Sequence, residues 1–186
     1  MIRELFNVPN TISIIRLLLI PVFVWMVIDA NYGWAGVLLG VIGATDWIDG
    51  YLARRLGQVT EIGKLLDPLA DRIAVAVAVV AGLWSGVLAA WFGWALIIRE
   101  TLVALGAIYG WMHGITKLDV RWIGKAATFA LYTAVAGFYI GEGFDAGWLV
   151  TAAFIVGIPG LILYYWVAAL YVGDMQSAIR RLTSDV

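Results

Sequence analysis

The stretch Asp46-Trp-Ile-Asp-Gly-Tyr-Leu-Ala-Arg54 is followed, after eight residues, by Gly63-Lys-Leu-Leu-Asp-Pro-Leu-Ala-Asp71. Together these segments hold four aspartates, in a chain of which 63% of the residues are hydrophobic. A carboxylate at membrane depth costs at least ~2.5 kcal/mol on insertion scales. Four of them close together need a counter-charge, and a divalent metal ion is the simplest candidate.

The composition indicates an integral membrane protein rather than a soluble globule. Only 13% of the 186 residues are charged, and the formal net charge is -1. The chain has no cysteine and a single histidine, which excludes disulfides and thiolate metal sites. A bound metal must therefore be held mainly by oxygen ligands, which favour Mg, Mn or Ca.

Six stretches are long and apolar enough to cross a bilayer as helices, which requires about 20 residues each. We predict them at residues 10–29, 34–56, 62–84, 88–112, 121–141 and 147–172. The fold class is thus all-α integral membrane, with residues 1–186 forming a single domain. The first six residues, Met-Ile-Arg-Glu-Leu-Phe, are expected to form a short amphipathic segment along the inner leaflet.

The distribution of basic residues predicts that both termini are cytoplasmic. Lys and Arg remain on the cytoplasmic side of membrane proteins. They occur at both termini and after the second and fourth predicted helices, whereas the connections after the first, third and fifth contain none. The aspartate-rich ends of the second and third helices consequently face the cytoplasm.

Helical periodicity places the aspartates on two faces. Asp46 and Asp49 are three residues apart, and Asp67 and Asp71 are four apart, so each pair shares one face of its helix. A short loop makes these helices antiparallel neighbours, and the four carboxylates are expected to meet in one cavity. Two metal ions about 3.5 to 4 Å apart are a recurring arrangement for phosphoryl chemistry.

Small residues accompany the acids. Gly50, Ala53 and Gly63 leave room for a bulky polyphosphate ligand, and Arg54 can offset its charge. Taken alone, the small residues would equally suit helix packing. Their position inside the acidic pattern favours the ligand.

At every fixed position, these residues match the signature of the CDP-alcohol phosphatidyltransferase family, which the chain therefore resembles. The similarity continues through Val8-Pro-Asn-Thr-Ile-Ser-Ile-Ile-Arg16, Arg99-Glu100 and Gly124-Lys125. These flanking features are similar to the phosphatidylglycerophosphate synthase branch and its actinobacterial cardiolipin synthase relatives.

The resemblance implies a reaction in which CDP-diacylglycerol donates its phosphatidyl group to an alcohol and releases CMP. It implies that Asp46, Asp49, Asp67 and Asp71 bind two ions of Mg²⁺ or Mn²⁺. It also implies that Asp71 takes the proton of the attacking hydroxyl. The residues that would bind the CDP-lipid are Gly50, Ala53, Arg54 and Gly63, with Asn10 and Thr11 at the rim. The family further implies a homodimer in the bacterial cytoplasmic membrane.

The acceptor alcohol is less strongly indicated. Arg99, Arg121 and Lys125 are the candidate ligands of its phosphate. Alternatively, Arg99 forms an internal salt bridge with Glu100 or with an acid of the second helix, and Arg121 serves topology alone. Members that use glycerol 3-phosphate often carry G-K-x-K-T, whereas this chain has Gly124-Lys-Ala-Ala-Thr128. We place glycerol 3-phosphate first, phosphatidylglycerol second and inositol phosphate third.

A non-enzyme interpretation is a divalent-cation transporter, in which carboxylates line a path across the membrane. A path of that kind requires acids at several depths, whereas the predicted helices hold these four in one half of the bilayer. Nothing in the charge pattern indicates nucleic-acid binding.

Overall fold

The computed structural model describes the backbone of residues 8–56, 61–112 and 122–184, and the side chains of residues 11–45, 70, 72–110, 112, 122–174 and 176. Within these ranges the chain forms six α-helices. In chain order they are α1 (Val8–Ile28), α2 (Tyr32–Leu56), α3 (Glu61–Ser85), α4 (Ala90–Met112), α5 (Trp122–Gly143) and α6 (Gly147–Ser184). The all-helical prediction is confirmed. The predicted amphipathic segment at residues 1–6 lies outside the described residues.

The last helix is longer than the sequence predicts. We expected it to end at residue 172, where the apolar run ends, but α6 continues to Ser184. Its extension includes Gln176, Ala178 and two arginines, which are compatible with helix although they are polar or weakly apolar. Hydropathy therefore predicts the membrane-crossing part of this helix and not its full length.

Among the described residues, four helices contain segments that can cross a membrane by length and composition. These segments are Thr11–Ile28, Ala90–Gly110, Trp122–Gly143 and Gly147–Asp174. Helices α2 and α3 contribute shorter apolar segments, Tyr32–Thr45 and Arg72–Ser85, which lie next to the aspartate-bearing parts of the same helices. Large apolar side chains such as Leu18 and Trp122 are exposed on the bundle surface, as a lipid-facing surface requires. The chain is an integral membrane protein.

The helices pack around a core that is rich in aromatic rings. Helix α1 contacts α2 and α3, α2 contacts α5, and α5 contacts α6, while α4 packs against α3 and α6. Phe92 and Phe138 are fully buried and pack edge to face, with their ring centroids 5.4 Å apart. This core links the helices that carry the aspartates to those that carry Arg99 and Lys125.

Tyrosine hydroxyls bind backbone carbonyls of neighbouring helices. Tyr132 on α5 donates to the carbonyl of Leu39 on α2 at 2.7 Å, and Tyr165 on α6 donates to that of Ala95 on α4 at 2.7 Å. A hydroxyl in an apolar bundle must find a partner inside the protein. These bonds therefore satisfy the tyrosines and join helices that are distant in sequence.

A glycine permits the close contact of α2 with α5. A Cβ atom added at Gly36 would lie 2.7 Å from the backbone nitrogen of Ile140. One turn later, an added Cβ at Gly40 would meet nothing within 4 Å. Gly36 and Gly40 are small residues four positions apart on α2, and of the two, Gly36 is the one that permits close packing against α5 within the protomer.

Candidate functional site

The two aspartate pairs lie on helices that meet. Asp46 and Asp49 fall in the last three turns of α2, and Asp67 and Asp71 fall in the first three turns of α3. The two helices contact each other, and both pack against α1. The helical placement of the aspartates is therefore as predicted. Their side chains lie outside the described residues, so their convergence on one cavity stays a prediction.

Four of the predicted ligands of the CDP-lipid lie between Asp46 and Asp71 in the sequence, and two lie near the start of α1. Thr11 is half-buried on α1. The side chains of the others are outside the described part of the chain: Asn10 on α1, Gly50, Ala53 and Arg54 on α2, and Gly63 on α3. Among the described side chains, no group of three or more His, Asp and Glu is able to hold a metal ion.

Helix α1 brings a buried positive charge to the depth of the aspartates. Arg16 has no solvent exposure. Arg16 lies about 18 Å along α1 from Ile28, the last residue of that helix, and Asp46 lies about 21 Å along α2 from Tyr32, its first residue. Because a short connection joins Ile28 to Tyr32, Arg16 and Asp46 lie at similar depth. Sequence reasoning gave Arg16 no role, although an arginine within an apolar run signals an ion-paired or functional position.

A second charged cluster is formed by Arg99 and Glu100 on α4 with Tyr164 on α6. The Nη1 atom of Arg99 donates to Oε1 of Glu100 at 3.1 Å. The guanidinium carbon of Arg99 lies 3.2 Å from the centroid of the Tyr164 ring, and the Tyr164 hydroxyl donates to the same Oε1 atom of Glu100. The internal salt bridge with Glu100, which was the alternative to a phosphate-binding role for Arg99, is thus present, and the cluster includes a tyrosine that sequence reasoning missed.

The cluster does not use all of the arginine's hydrogen-bonding capacity. Arg99 is only 6% exposed, and its Nε atom is buried and has no hydrogen-bond acceptor among the described residues. A buried N–H group without a partner is costly. An anionic ligand that reached this nitrogen would remove that cost.

An apolar cavity of about 240 Å³ borders the cluster. Its walls come from α3, α4, α5 and α6, and they include Val75, Leu96 and Val135 as well as Glu100 and Tyr164. Val75 follows Asp71 by one helical turn, or about 6 Å along α3. The cavity therefore connects the Arg99 cluster to the helix that bears Asp67 and Asp71.

The other predicted acceptor ligands are only partly described. Lys125 is exposed near the start of α5, and Arg121 lies outside the described residues. Ala127, which takes the place of the second lysine of G-K-x-K-T, has no exposure and belongs to the hydrophobic core. Thr128 donates its hydroxyl to the carbonyl of Gly124 at 2.9 Å. Position 127 thus faces the bundle interior, and Lys125 is the cation of this segment.

Comparisons with known proteins point to one family. The model of the family described as CDP-alcohol phosphatidyltransferase matches residues 6–172. A putative cardiolipin synthase of Mycobacterium tuberculosis H37Rv is 37% identical over 185 residues, which cover 97% of this chain and 88% of the relative. The cardiolipin synthase (CMP-forming) of Streptomyces coelicolor is 33% identical, with 95% of this chain and 86% of the relative covered. The CDP-diacylglycerol–glycerol-3-phosphate 3-phosphatidyltransferase of Escherichia coli K12 is 32% identical, with 97% of each covered.

Proposed function

This chain belongs to the CDP-alcohol phosphatidyltransferase family, and we propose that it transfers the phosphatidyl group of CDP-diacylglycerol to a glycerol hydroxyl of a phosphate-bearing acceptor, releasing CMP. It is an enzyme of phospholipid biosynthesis. The observation that carries the proposal is the complete acidic signature on two contacting membrane helices, α2 and α3. Membership in this enzyme family argues against the alternative that the chain is a cation transporter.

The carboxylates of Asp46, Asp49, Asp67 and Asp71 would hold the divalent metal. A set of four carboxylate oxygen donors fits Mg²⁺ or Mn²⁺, and we propose two ions. Bound metal would supply charge stabilisation for the diphosphate and for the departing CMP. The buried Arg16 adds positive charge at the same depth on the neighbouring helix.

Proton transfer and substrate binding are carried out by the protein's own groups. The acceptor hydroxyl forms a new bond to the phosphorus that bears diacylglycerol, and the bond from that phosphorus to the oxygen of CMP breaks. The hydroxyl proton passes to the carboxylate of Asp71. The CDP-lipid would be bound by Gly50, Ala53, Arg54 and Gly63, with Asn10 and Thr11 at the rim.

Glycerol 3-phosphate is the first candidate acceptor. The name of the Escherichia coli relative includes glycerol 3-phosphate, and the match covers 97% of that relative's length. Arg99, Arg121 and Lys125 would bind its phosphate. The buried Nε atom of Arg99, which has no hydrogen-bond acceptor among the described residues, supports this role.

Phosphatidylglycerol is the second candidate, and the burial of Ala127 favours it. A phosphate monoester carries up to two charges, whereas the phosphodiester of phosphatidylglycerol carries one. Because position 127 supplies a methyl group to the core instead of an ammonium group, the segment offers less charge to a monoester. The two actinobacterial relatives, at 37% and 33% identity, carry the name cardiolipin synthase.

We further propose six membrane spans, with both termini and the active site facing the cytoplasm of a bacterial cell. Each of α2 and α3 has 25 residues, more than the roughly 20 that cross the hydrocarbon core. The basic residues alternate between connections as this topology requires. We also propose a homodimer, in keeping with the family pattern.

The proposal is tested by assaying the purified protein in detergent with CDP-diacylglycerol and Mg²⁺. CMP release is followed separately with glycerol 3-phosphate, phosphatidylglycerol and inositol phosphate as acceptors, with and without a chelator. Metal-dependent release with the first acceptor alone identifies glycerol 3-phosphate, and release with the second alone identifies phosphatidylglycerol. Absence of release with all three would contradict the proposed transfer.

A further inference from the structure

We infer that Tyr164 is a positioning residue for the acceptor phosphate: it fixes Glu100 and supports the guanidinium of Arg99, so that the buried Nε side of Arg99 faces the ligand. This inference rests on the proposed function, because it takes the phosphate of the acceptor as the anion that Arg99 binds. Glycerol 3-phosphate and phosphatidylglycerol share that group.

Two separate contacts connect Tyr164 to the arginine. Its ring lies 3.2 Å below the guanidinium carbon, and its hydroxyl donates to Oε1 of Glu100, the atom that also accepts from Arg99 Nη1. Tyr164 is 8% exposed and Arg99 6%, whereas the side chain of Glu100 is 41% exposed. The tyrosine is therefore a buried donor that holds a more accessible carboxylate against the buried arginine.

The contacts leave the Nε side of the guanidinium without a hydrogen-bond acceptor among the described residues. Nη1 is used by Glu100 and one face by the ring, while Nε has no acceptor among the described residues. Nε and a terminal nitrogen together form the fork that binds phosphate oxygens in a bidentate manner. A guanidinium fixed on its Nη1 side and on one face presents that fork in one orientation.

The position of the cluster is appropriate for the reaction. Glu100 and Tyr164 line the cavity together with Val75 and Ala76, which lie about one helical turn beyond Asp71 on α3. The cavity thus joins Tyr164 and Glu100 to the helix of the proposed base.

Loss of the hydroxyl should affect acceptor binding more than chemistry. Without its buried donor, Glu100 can turn into the exposed space beside it, and Arg99 loses its fixed orientation. An interaction made equally in the bound substrate and in the transition state changes KM and leaves kcat nearly the same. The KM for CDP-diacylglycerol should change little, because its proposed ligands lie on α1, α2 and α3.

The decisive variant is Tyr164→Phe, with Tyr165→Phe as the matched control. Tyr165 is the next residue on α6, and its hydroxyl also donates to a group on α4, the carbonyl of Ala95. We expect Tyr164→Phe to raise the acceptor KM about tenfold, the effect of weakening a charge-assisted contact. Tyr165→Phe should leave that KM within about twofold. Each acceptor is assayed separately, at saturating CDP-diacylglycerol.

Glu100→Gln provides a second variant if Tyr164→Phe does not fold. It keeps a hydrogen-bond acceptor for both partners but removes the charge, and it should raise the same KM. An unchanged acceptor KM in whichever of these variants folds, or an equal change in Tyr165→Phe, would overturn the inference. Wild-type protein that releases no CMP with any acceptor would instead refute the proposed function, and the two failures are therefore distinguishable.

Discussion

The hydroxyl of Tyr139 on α5 donates a 2.8 Å hydrogen bond to the backbone carbonyl of Ala78 on α3, the helix that carries Asp67 and Asp71. The two residues are 61 positions apart and both are fully buried. The Tyr139 ring also packs edge to face against Phe23 of α1, with centroids 5.2 Å apart. One side chain therefore joins three helices around the candidate site.

Tyr139→Phe should destabilise the protein moderately. The variant keeps the ring contact with Phe23 and loses one interhelical hydrogen bond, which is worth about 1 kcal/mol. Tyr139→Ala also removes the ring and should cost several times more, about 3 to 5 kcal/mol. Thermal unfolding in detergent measures both variants. Equal midpoints for the two would show that the hydrogen bond, and not the ring, is the main contribution.

Asp71→Asn should remove most of the turnover and leave donor binding measurable. A general base contributes about 10²- to 10⁴-fold in rate, and an amide cannot accept the proton of the acceptor hydroxyl. Turnover is measured as CMP release and donor binding by titration with CDP-diacylglycerol. Asp145→Asn is the matched control, because Asp145 is exposed in the turn before α6 and its φ of 51° is tolerated by asparagine. Near-normal turnover in Asp71→Asn would exclude it as the base.

Gly36→Ala and Gly40→Ala form a second matched pair, on one face of α2. The new methyl group at position 36 would lie 2.7 Å from the backbone of Ile140, so α2 and α5 must separate, at a cost of about 1 to 3 kcal/mol. At position 40 it meets nothing within 4 Å and should raise stability slightly, since alanine is the better helix former. Unfolding midpoints in detergent compare the two. A destabilised Gly40→Ala would point to a contact made outside the protomer.

Hydropathy and charge were sufficient to predict the six helices and the helices on which the aspartates lie. They failed at the end of α6, where the chain stays helical after its apolar run has ended. The salt bridge of Arg99 with Glu100 was considered only as the alternative to a phosphate-binding role, because the two residues are adjacent. The role of Tyr164 was not predicted, because this residue lies 64 positions from Glu100 and its sequence context does not differ from that of other aromatic residues in apolar helices. Partners of this kind are created by packing and have no local signal in the sequence.

The proposed topology predicts opposite labelling of two single cysteines in a chain that has none of its own. Asn31→Cys, in the exposed connection between α1 and α2, should react with a membrane-impermeant maleimide in intact cells. Lys117→Cys, between α4 and α5 in sequence, should react only after permeabilisation. Reaction of Lys117→Cys in intact cells would show that the orientation is the reverse of the proposed one, with the acidic ends of α2 and α3 outside.

Lys125→Ala should raise the KM for the acceptor by about tenfold or more, with little effect on stability. The lysine is exposed, so its removal leaves no cavity. It is also the only basic residue between Gly124 and Thr128, because position 127 holds a buried alanine, and its loss leaves that segment without positive charge. Charge-assisted contacts to phosphate are worth about 1.5 to 3 kcal/mol, which corresponds to the stated change. Lys125→Arg keeps the charge and should retain most of the affinity. If Lys125→Ala binds the acceptor as wild type does, the lysine serves topology alone, and the acceptor phosphate must be held by Arg99 and Arg121 without it.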